Sequence, residues 1–236
     1  MNSICIATYN GSRFIHEQLT SILGQLDSQD EVIICDDGST DNTIAIIEEL
    51  QDPRVKIFKN PKNLGYVLNF KKSVSHASGD YIFLSDQDDV WPENRLALMK
   101  EHLRASEKDI LFGNYEVFED DIRILKKHDA RLGNHSNVSR FKNIFKTFKG
   151  GIPYFGCCCV FKKNVKSEFE RIIDGGTSHD IALSLYGNLS GRIHHIPDTV
   201  VYRRVHDSNV TSSDRTLKDK LLTRFLWLKL LVRMSS

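Results

Sequence analysis

The chain has 236 residues, enough for one sizeable domain with its own core or for two small ones. Its 40% hydrophobic and 27% charged residues are those of an ordinary globular protein, and a formal net charge of +1 gives no footprint of a nucleic-acid binder. The charge is uneven, however: residues 207–236 hold six Lys or Arg against three Asp, and the remainder carries a small acidic excess.

Taken in order, the first half alternates strand and helix patterns. Ser3–Ala7 reads as a strand ending at "TYNG", and Phe14–Leu26 as a helix. Glu31–Cys35 is a second strand, running into "DDGSTDNT", where Ser39, Thr40 or Asp41 is placed to cap a helix over Thr43–Leu50. Val55–Phe58 is a third strand, followed by "NPKNLG" and a helix over Tyr66–His76. Tyr81–Leu84 is the fourth, and Pro92 is suited to open a helix running to Ser106. Strands alternating with helices of this length predict an α/β fold with a mainly parallel sheet.

The second half is less regular. Ile110–Val117 reads as a strand, Val138–Phe148 as a helix and "GGIPYFG" as a loop feeding a strand over Cys157–Phe161. Helices follow at Asn164–Ile173 and Ile181–Tyr186, then two short strands at Arg192–Ile196 and Thr199–Val205. The pattern is that of one domain over residues 1–211, with a basic, apolar helical tail over 212–236.

The five cysteines lack CxxC spacing, which argues against a disulfide framework or a zinc site and fits a reducing cytoplasm. "MNSICIATYN" has no charged n-region and no long apolar run, so it does not read as a signal peptide, and no stretch is apolar enough to span a bilayer.

In an open parallel sheet, ligands bind beyond the carboxyl ends of the strands. Three polar clusters fall there: Thr8, Tyr9 and Asn10 after the first strand, Asp36 and Asp37 after the second, and Asp86, Gln87, Asp88 and Asp89 after the fourth. "DDGST" alone is either a turn with a cap or a carboxylate that accepts bonds from a base or ribose. Tyr9 is either surface aromatic area or a platform for a base. Asp86 and Asp88, two apart at a strand end, can converge on a hard divalent cation, Mg²⁺ or Mn²⁺, which favours carboxylates together with phosphate oxygens. Asp89, before Trp91 and Pro92, reads as the residue that turns the chain. No GxGxxG and no GxxxxGK[ST] occurs, which disfavours Rossmann cofactors and P-loop phosphates.

The ordered set "TYN", "DDGS", "NLG" and "GDYIFLSDQDD" resembles the nucleotide-diphospho-sugar-binding half of the family 2 glycosyltransferases, which have a GT-A-type fold. The similarity covers roughly residues 3–115 and continues more loosely to about residue 211. "SDQDDVW" further resembles bacterial rhamnosyltransferases of O-antigen and capsule synthesis. The resemblance implies a nucleotide-sugar-binding half over 1–115 and an acceptor-side half over 116–211. It implies that Tyr9 stacks on the base, that Asp37 accepts its N–H, and that Thr8 and Asn10 line the same pocket. Asp88 would ligate the metal, with Asp86 toward the ribose or the metal's water. "YVLNFKKS" departs from the Arg- and Asn-rich run of many relatives, leaving Asn69 and Lys72 as candidate donor contacts.

Downstream, His179 and Asp180 in "TSHDIALSLYG" match the family's acidic pair, which implies that Asp180 is the general base; by its own position it could equally cap the following helix. His206 in "VYRRVHDSNVT" matches a histidine that completes the metal or diphosphate site, and Arg203 or Arg204 offers phosphate-binding geometry. Only one of two adjacent arginines in a strand can face the site, and Arg204 is assigned to the donor. Gly156 and Cys157 match the acceptor-side segment.

The implied function is an inverting, metal-dependent transfer of a sugar, L-rhamnose from dTDP-rhamnose as the leading donor, to a carbohydrate or lipid-linked oligosaccharide. The rivals are a sugar-phosphate nucleotidyltransferase, whose Gly-rich basic N-terminal loop is missing, and a non-catalytic nucleotide-sugar-binding subunit. Within the tail, "LKDKLLTRFLWLKLLVRMSS" mixes Leu, Phe and Trp227 with five cations, and reads either as a helix at the inner face of the cell membrane or as one packed on protein.

Overall fold

A computed structural model describes residues 1–127, 131–149, 154–174, 176–207, 229–230 and 232. The helical tail over 212–236 therefore lies outside the described residues except at Lys229, Leu230 and Val232, and of these Leu230 is buried in the main core.

The first half follows the alternation in the sequence: β1 (Asn2–Thr8), α1 (Ile15–Leu23), β2 (Glu31–Asp36), α2 (Thr43–Glu49), β3 (Val55–Lys59), α3 (Tyr66–His76), β4 (Tyr81–Ser85) and α4 (Arg95–Ala105). β1 pairs in parallel with β2 on one side and β4 on the other, and β3 joins β2 in parallel. β1 and β2 are buried on both faces, which is why they read as unbroken apolar runs. Residues of alternating parity serve opposite layers. Cys5, Ile33, Ile82 and Leu84 pack with Val67, Phe70 and Val74 of α3. Ile4, Ile6, Val32, Ile34 and Phe83 pack with α1 and with Leu96, Met99 and Leu103 of α4.

The second half is β5 (Ile110–Phe118), β6 (Lys126–Lys127), α5 (Asn134–Val138), α6 (Arg140–Phe148), a 3₁₀ turn (Gly156–Cys158), β7 (Cys159–Lys162), a second 3₁₀ turn (Lys163–Val165), α7 (Lys166–Ile172), α8 (His179–Ser190) and β8 (Ile193–Arg204). β7 inserts between β4 and β5 and is antiparallel to both, so the sheet is mixed at this point. Two reversals restore the direction: β5, and β8 parallel to it, run the same way as β4. The carboxyl ends of β1, β2, β4, β5 and β8 therefore share one edge with the amino end of β7.

Several boundaries differ from the sequence expectation. The two strands expected over 192–205 are one, kept continuous across Pro197 by register shifts against β5 near Asn114. α4 starts at Arg95, with Asn94 rather than Pro92 at its cap. The helix expected from Val138 is broken at Ser139, whose φ of −128° and ψ of 71° are not helical. α8 is longer than expected and ends where Gly191 takes the left-handed φ of 72°. Cys157 sits in the 3₁₀ turn, not in β7.

Candidate active site

The three polar strand ends meet at that shared edge and are tied together there. The Gln87 side chain clasps the Tyr9 backbone with two bonds, accepting from Tyr9 N at 3.0 Å and donating to Tyr9 O at 3.1 Å. A Cβ on Gly11 would collide with that same Gln87 amide. Asn10, at a φ of 49°, accepts a bond from Thr40 N at 2.8 Å, and its own N–H donates to Ser39 Oγ. Tyr9 keeps its ring in solvent, 48% exposed.

The two acids after β2 are both buried and saturated with donors. Asp36 accepts from Gly38 N, Ser39 N, Ser39 Oγ and, at 3.0 Å, Thr8 Oγ1. Asp37 accepts from Leu64 N and Gly65 N at 2.8 Å each and from Asn60 Nδ2 at 2.9 Å. It thereby holds the "NLG" loop against β2, with Gly65 at a φ of 80°. Asn69 and Lys72 lie behind this loop: Asn69 donates to Cys35 O, and Lys72 Nζ to Asn60 Oδ1 at 2.6 Å. Both side chains brace the pocket wall.

The acids after β4 are arranged differently. Ser85 Oγ accepts from Gln18 Nε2 and from Trp91 Nε1, which fixes the turn from below. Val90 then forms a two-bond bridge with Tyr202 of β8, laying the acidic run beside the end of that strand. Asp88 Oδ2 meets His206 Nε2 at 2.9 Å, and the His206 ring lies against Phe14. Asp89 is not a solvated turn residue: it is buried, one oxygen accepts from Arg204 N, and Oδ2 has no hydrogen-bond partner. Ligand atoms of Asp86, Asp89 and Cys157 lie within 4.8 Å of one another. Burial, and then the Asp88 carboxylate, push Asp86 up to about 6, and burial with the Asp86 charge pushes Asp89 well up.

Positive charge is placed around this cluster from two sides. Arg203 lies over the Phe155 ring at 4.2 Å; burial works against its charge, but its acidic neighbours, Asp89 and Asp86 among them, more than restore it. Arg204 turns the other way, as alternation along a strand requires, and donates to Glu17 Oε2 at 2.5 Å and to Asp88 O. The donor-facing role assigned to Arg204 thus finds its guanidinium engaged by Glu17, and Arg203 is the arginine whose charge the acids sense. Beneath them Arg95, fully buried and stacked on Trp91 at 3.9 Å, donates to Leu84 O and Cys157 O.

Asp180 opens α8 across the edge, half-buried, and accepts from Ser178 Oγ and Ile181 N. Its charge is felt at Asp86. His179 points inward instead, against the Phe70 ring and under Gly156, where any Cβ would strike its ring. Burial pushes the Cys35 thiol up to about 12, and a hydrogen bond with Cys158 together with burial raises Cys157, so these two thiols stay protonated. Cysteine chemistry is not what this edge offers.

The structure thus brings Asp86, Asp88 and His206 together, with Asp180 in electrostatic range, and spends the side chains of Thr8, Asn10 and Asp36 on holding loops. Sequence reasoning gave no role to Gln87 or Arg95, read Asp89 as a turn residue and chose Arg204 over Arg203. The charge of Asp89 was visible, but its burial depends on the Val90–Tyr202 bridge between segments more than a hundred residues apart. The donor set fits a hard divalent cation, since carboxylate oxygens forced this close, one of them unpartnered, gain from a shared positive charge.

Comparison with known proteins agrees with this reading. Residues 3–169 match the family described as Glycosyl transferase family 2. The chain is 30% identical over 233 residues to the dTDP-rhamnosyl transferase RfbG of Shigella flexneri, covering 91% of this chain and 76% of that one. It is 30% identical over 119 residues to the UDP-Glc:alpha-D-GlcNAc-diphosphoundecaprenol beta-1,3-glucosyltransferase WfgD of Escherichia coli, covering 50% of this chain but only 47% of the relative. Among solved structures, S. aureus TarS with UDP-GlcNAc aligns at a TM-score of 0.74 and 18% identity over 98% of this chain and 66% of that one. Mannosyltransferase PcManGT from Pyrobaculum calidifontis, with GDP-Man and Mn²⁺, aligns at 0.65 and 17% identity over 99% of this chain and 72% of that one. By sequence the chain belongs to glycosyl transferase family 2, and by fold it is a GT-A protein.

Proposed function

We propose that the chain is an inverting, divalent-cation-dependent glycosyltransferase that moves a sugar from a nucleotide diphosphate to a carbohydrate or lipid-linked oligosaccharide in cell-surface polysaccharide synthesis. The observation that carries this reading is the meeting of Asp86, Asp88 and His206 at a strand edge faced by Asp180. Tyr9 lays its exposed ring on the base, and Asp37, with one lone pair left after three bonds, accepts the base N–H. Asp88 and His206, with Asp86 beside them, would hold Mg²⁺ or Mn²⁺, which would supply positive charge to a diphosphate leaving group. Asp180 takes the proton of the acceptor hydroxyl as its oxygen bonds to the anomeric carbon. The bond from that carbon to the diphosphate breaks on the opposite face, which inverts the centre without an enzyme nucleophile.

L-Rhamnose from dTDP-rhamnose is the proposed donor, supported by RfbG, whose similarity spans nearly the whole of this chain. A lipid-linked acceptor is supported by the diphosphoundecaprenol substrate in the name of WfgD. The test is incubation with labelled nucleotide-sugars and Mn²⁺. Slow, metal-dependent release of the nucleoside diphosphate is expected; pyrophosphate exchange would make it a nucleotidyltransferase, and binding without turnover a carrier. Asp180→Asn is expected to keep donor affinity and lose about 10³-fold in transfer. Normal transfer by that variant would remove Asp180 from the mechanism.

A further inference from the structure

Helix α6 presents a surface that is exposed among the described residues. Phe141 is 83% exposed and Phe145 56%, whereas the polar Asn143 is buried, donating to Ser136 O and to Asn188 Oδ1. Ile144 and Phe148 already supply the apolar face that α6 turns to the core, so Phe141 and Phe145 are apolar surface beyond what packing uses. At about 100° per residue, Phe145 lies about 40° from Phe141, and Lys149, Lys142 and Lys146 follow at about 80°, 100° and 140°. The three lysines are exposed, and Lys149 Nζ stands 4.5 Å from the Phe145 ring centre. No acid occurs between Asp129 and Glu168, a stretch with eight Lys or Arg.

We infer that α6 docks on an anionic lipid surface, with the rings of Phe141 and Phe145 entering the headgroup boundary and Lys142, Lys146 and Lys149 facing lipid phosphates. Apolar rings flanked by lysines on one convex helix are the pattern of interfacial helices. Charge argues against the other occupants. Residues 208–228 of this chain carry four Lys or Arg against two Asp, and a second copy would bring the same lysines face to face. This places membrane contact on α6 rather than on the tail, where Leu230 is buried in the core. α6 also runs antiparallel to α8, since Arg140 lies by Gly191 and Asn143 bonds Asn188. Its far end thus points along α8 toward Asp180. The inference does not depend on glycosyl transfer.

The test is co-sedimentation of the full chain with vesicles of phosphatidylglycerol and phosphatidylethanolamine, beside phosphatidylcholine vesicles. Salt-sensitive binding to the anionic vesicles alone is expected. Phe141→Ser with Phe145→Ser is expected to lower partitioning about tenfold or more at an unchanged thermal midpoint. Lys142→Gln, Lys146→Gln and Lys149→Gln together should lower it at least as far, at about tenfold for every one to two charges. The inference is overturned if the wild-type chain ignores anionic vesicles. It is also overturned if the α6 variants bind unchanged while Lys218→Gln, Lys220→Gln and Arg224→Gln abolish binding, or if the phenylalanine variant dissociates a dimer in sedimentation velocity.

Discussion

The ends of β2 and β4 each carry adjacent acids on one edge of one sheet, yet the two groups are in opposite electrostatic conditions. Asp36 and Asp37 accept seven bonds between them, four of them from backbone N–H groups. These donors come from the two loops that follow β2 and β3, so both acids serve to shape that edge. Asp86, Asp88 and Asp89 instead face one another, with an unpartnered oxygen on Asp89 and raised pKa values at Asp86 and Asp89. The β2 carboxylates are filled by donors that hold loops, whereas those after β4 are buried beside one another, where a shared cation would relieve their repulsion.

The largest effect expected from this contrast is on the β4 side. Asp88→Asn should keep the thermal midpoint within a few degrees while costing about 10³-fold in transfer, because an amide is a poor ligand for a hard cation. Manganese at a hundredfold excess over its dissociation constant should stabilise the wild-type chain by about 2.7 kcal/mol, and this gain should vanish in the variant. An equal gain in both would show that the cation binds elsewhere.

On the β2 side the loss should be one of stability. Asp36→Ala leaves Gly38 N, Ser39 N and Thr8 Oγ1 without their acceptor in a buried site, at a cost of about 2–4 kcal/mol in chemical denaturation. Unchanged stability would mean that water replaces the carboxylate and that the loop needs no clamp.

The acids of β4 should also show themselves through pH. Asp86 has a folded pKa of about 6, above its ordinary 3.8, so the folded state pays nothing for it below 3.8 and is progressively penalised as pH rises through 6. Metal-free protein should therefore gain about 1–2 kcal/mol from this site on acidification from pH 7 to about 4.5, a gain absent in Asp86→Asn. Glu31 has the opposite sign. Burial works against its charge, but bonds from Lys56, Ser3 and Ser78 bring it down to about 2. Its contribution is complete above 4.5 and is lost as pH falls toward 2. Asp89 and the buried His179 and His195 also contribute between pH 4.5 and 7, so the difference between the wild-type chain and Asp86→Asn is what isolates Asp86.

The same contrast explains how far the sequence could be read. β1, β2 and β4 are buried on both faces, so their apolar runs and polar ends were legible, and the edge could be located before any coordinates. α8 was legible only at its centre, because its start depends on packing His179 against Phe70 and its end on Gly191. The second half resisted because β7 enters the sheet antiparallel between β4 and β5, a pairing across about eighty residues that leaves no local periodicity. Asp89 was read as a turn residue and Arg203 was passed over for Arg204 for a related reason. Both are set by the pairing of Val90 with Tyr202, whereas Asp36 and Asp37 bond mainly to neighbours within thirty residues.

The smallest predicted effect concerns the residue that joins the two regions. Gln87 belongs to the acidic run of β4, but its amide serves the β1 loop, holding both backbone groups of Tyr9. Gln87→Ala should cost about 1 kcal/mol of stability, since the freed Tyr9 groups are exposed enough to meet water. Its effect on binding should be proportionally larger, a several-fold weaker donor affinity, because Tyr9 would stack on the base from a loop no longer fixed. Gly11→Ala is the complementary variant: its new methyl group displaces the Gln87 amide from the other side. Both should weaken donor binding alike, measured by titration with the nucleoside diphosphate. If Gly11→Ala alone weakens it, the clasp is incidental and the β1 loop holds Tyr9 through Asn10 and Thr40.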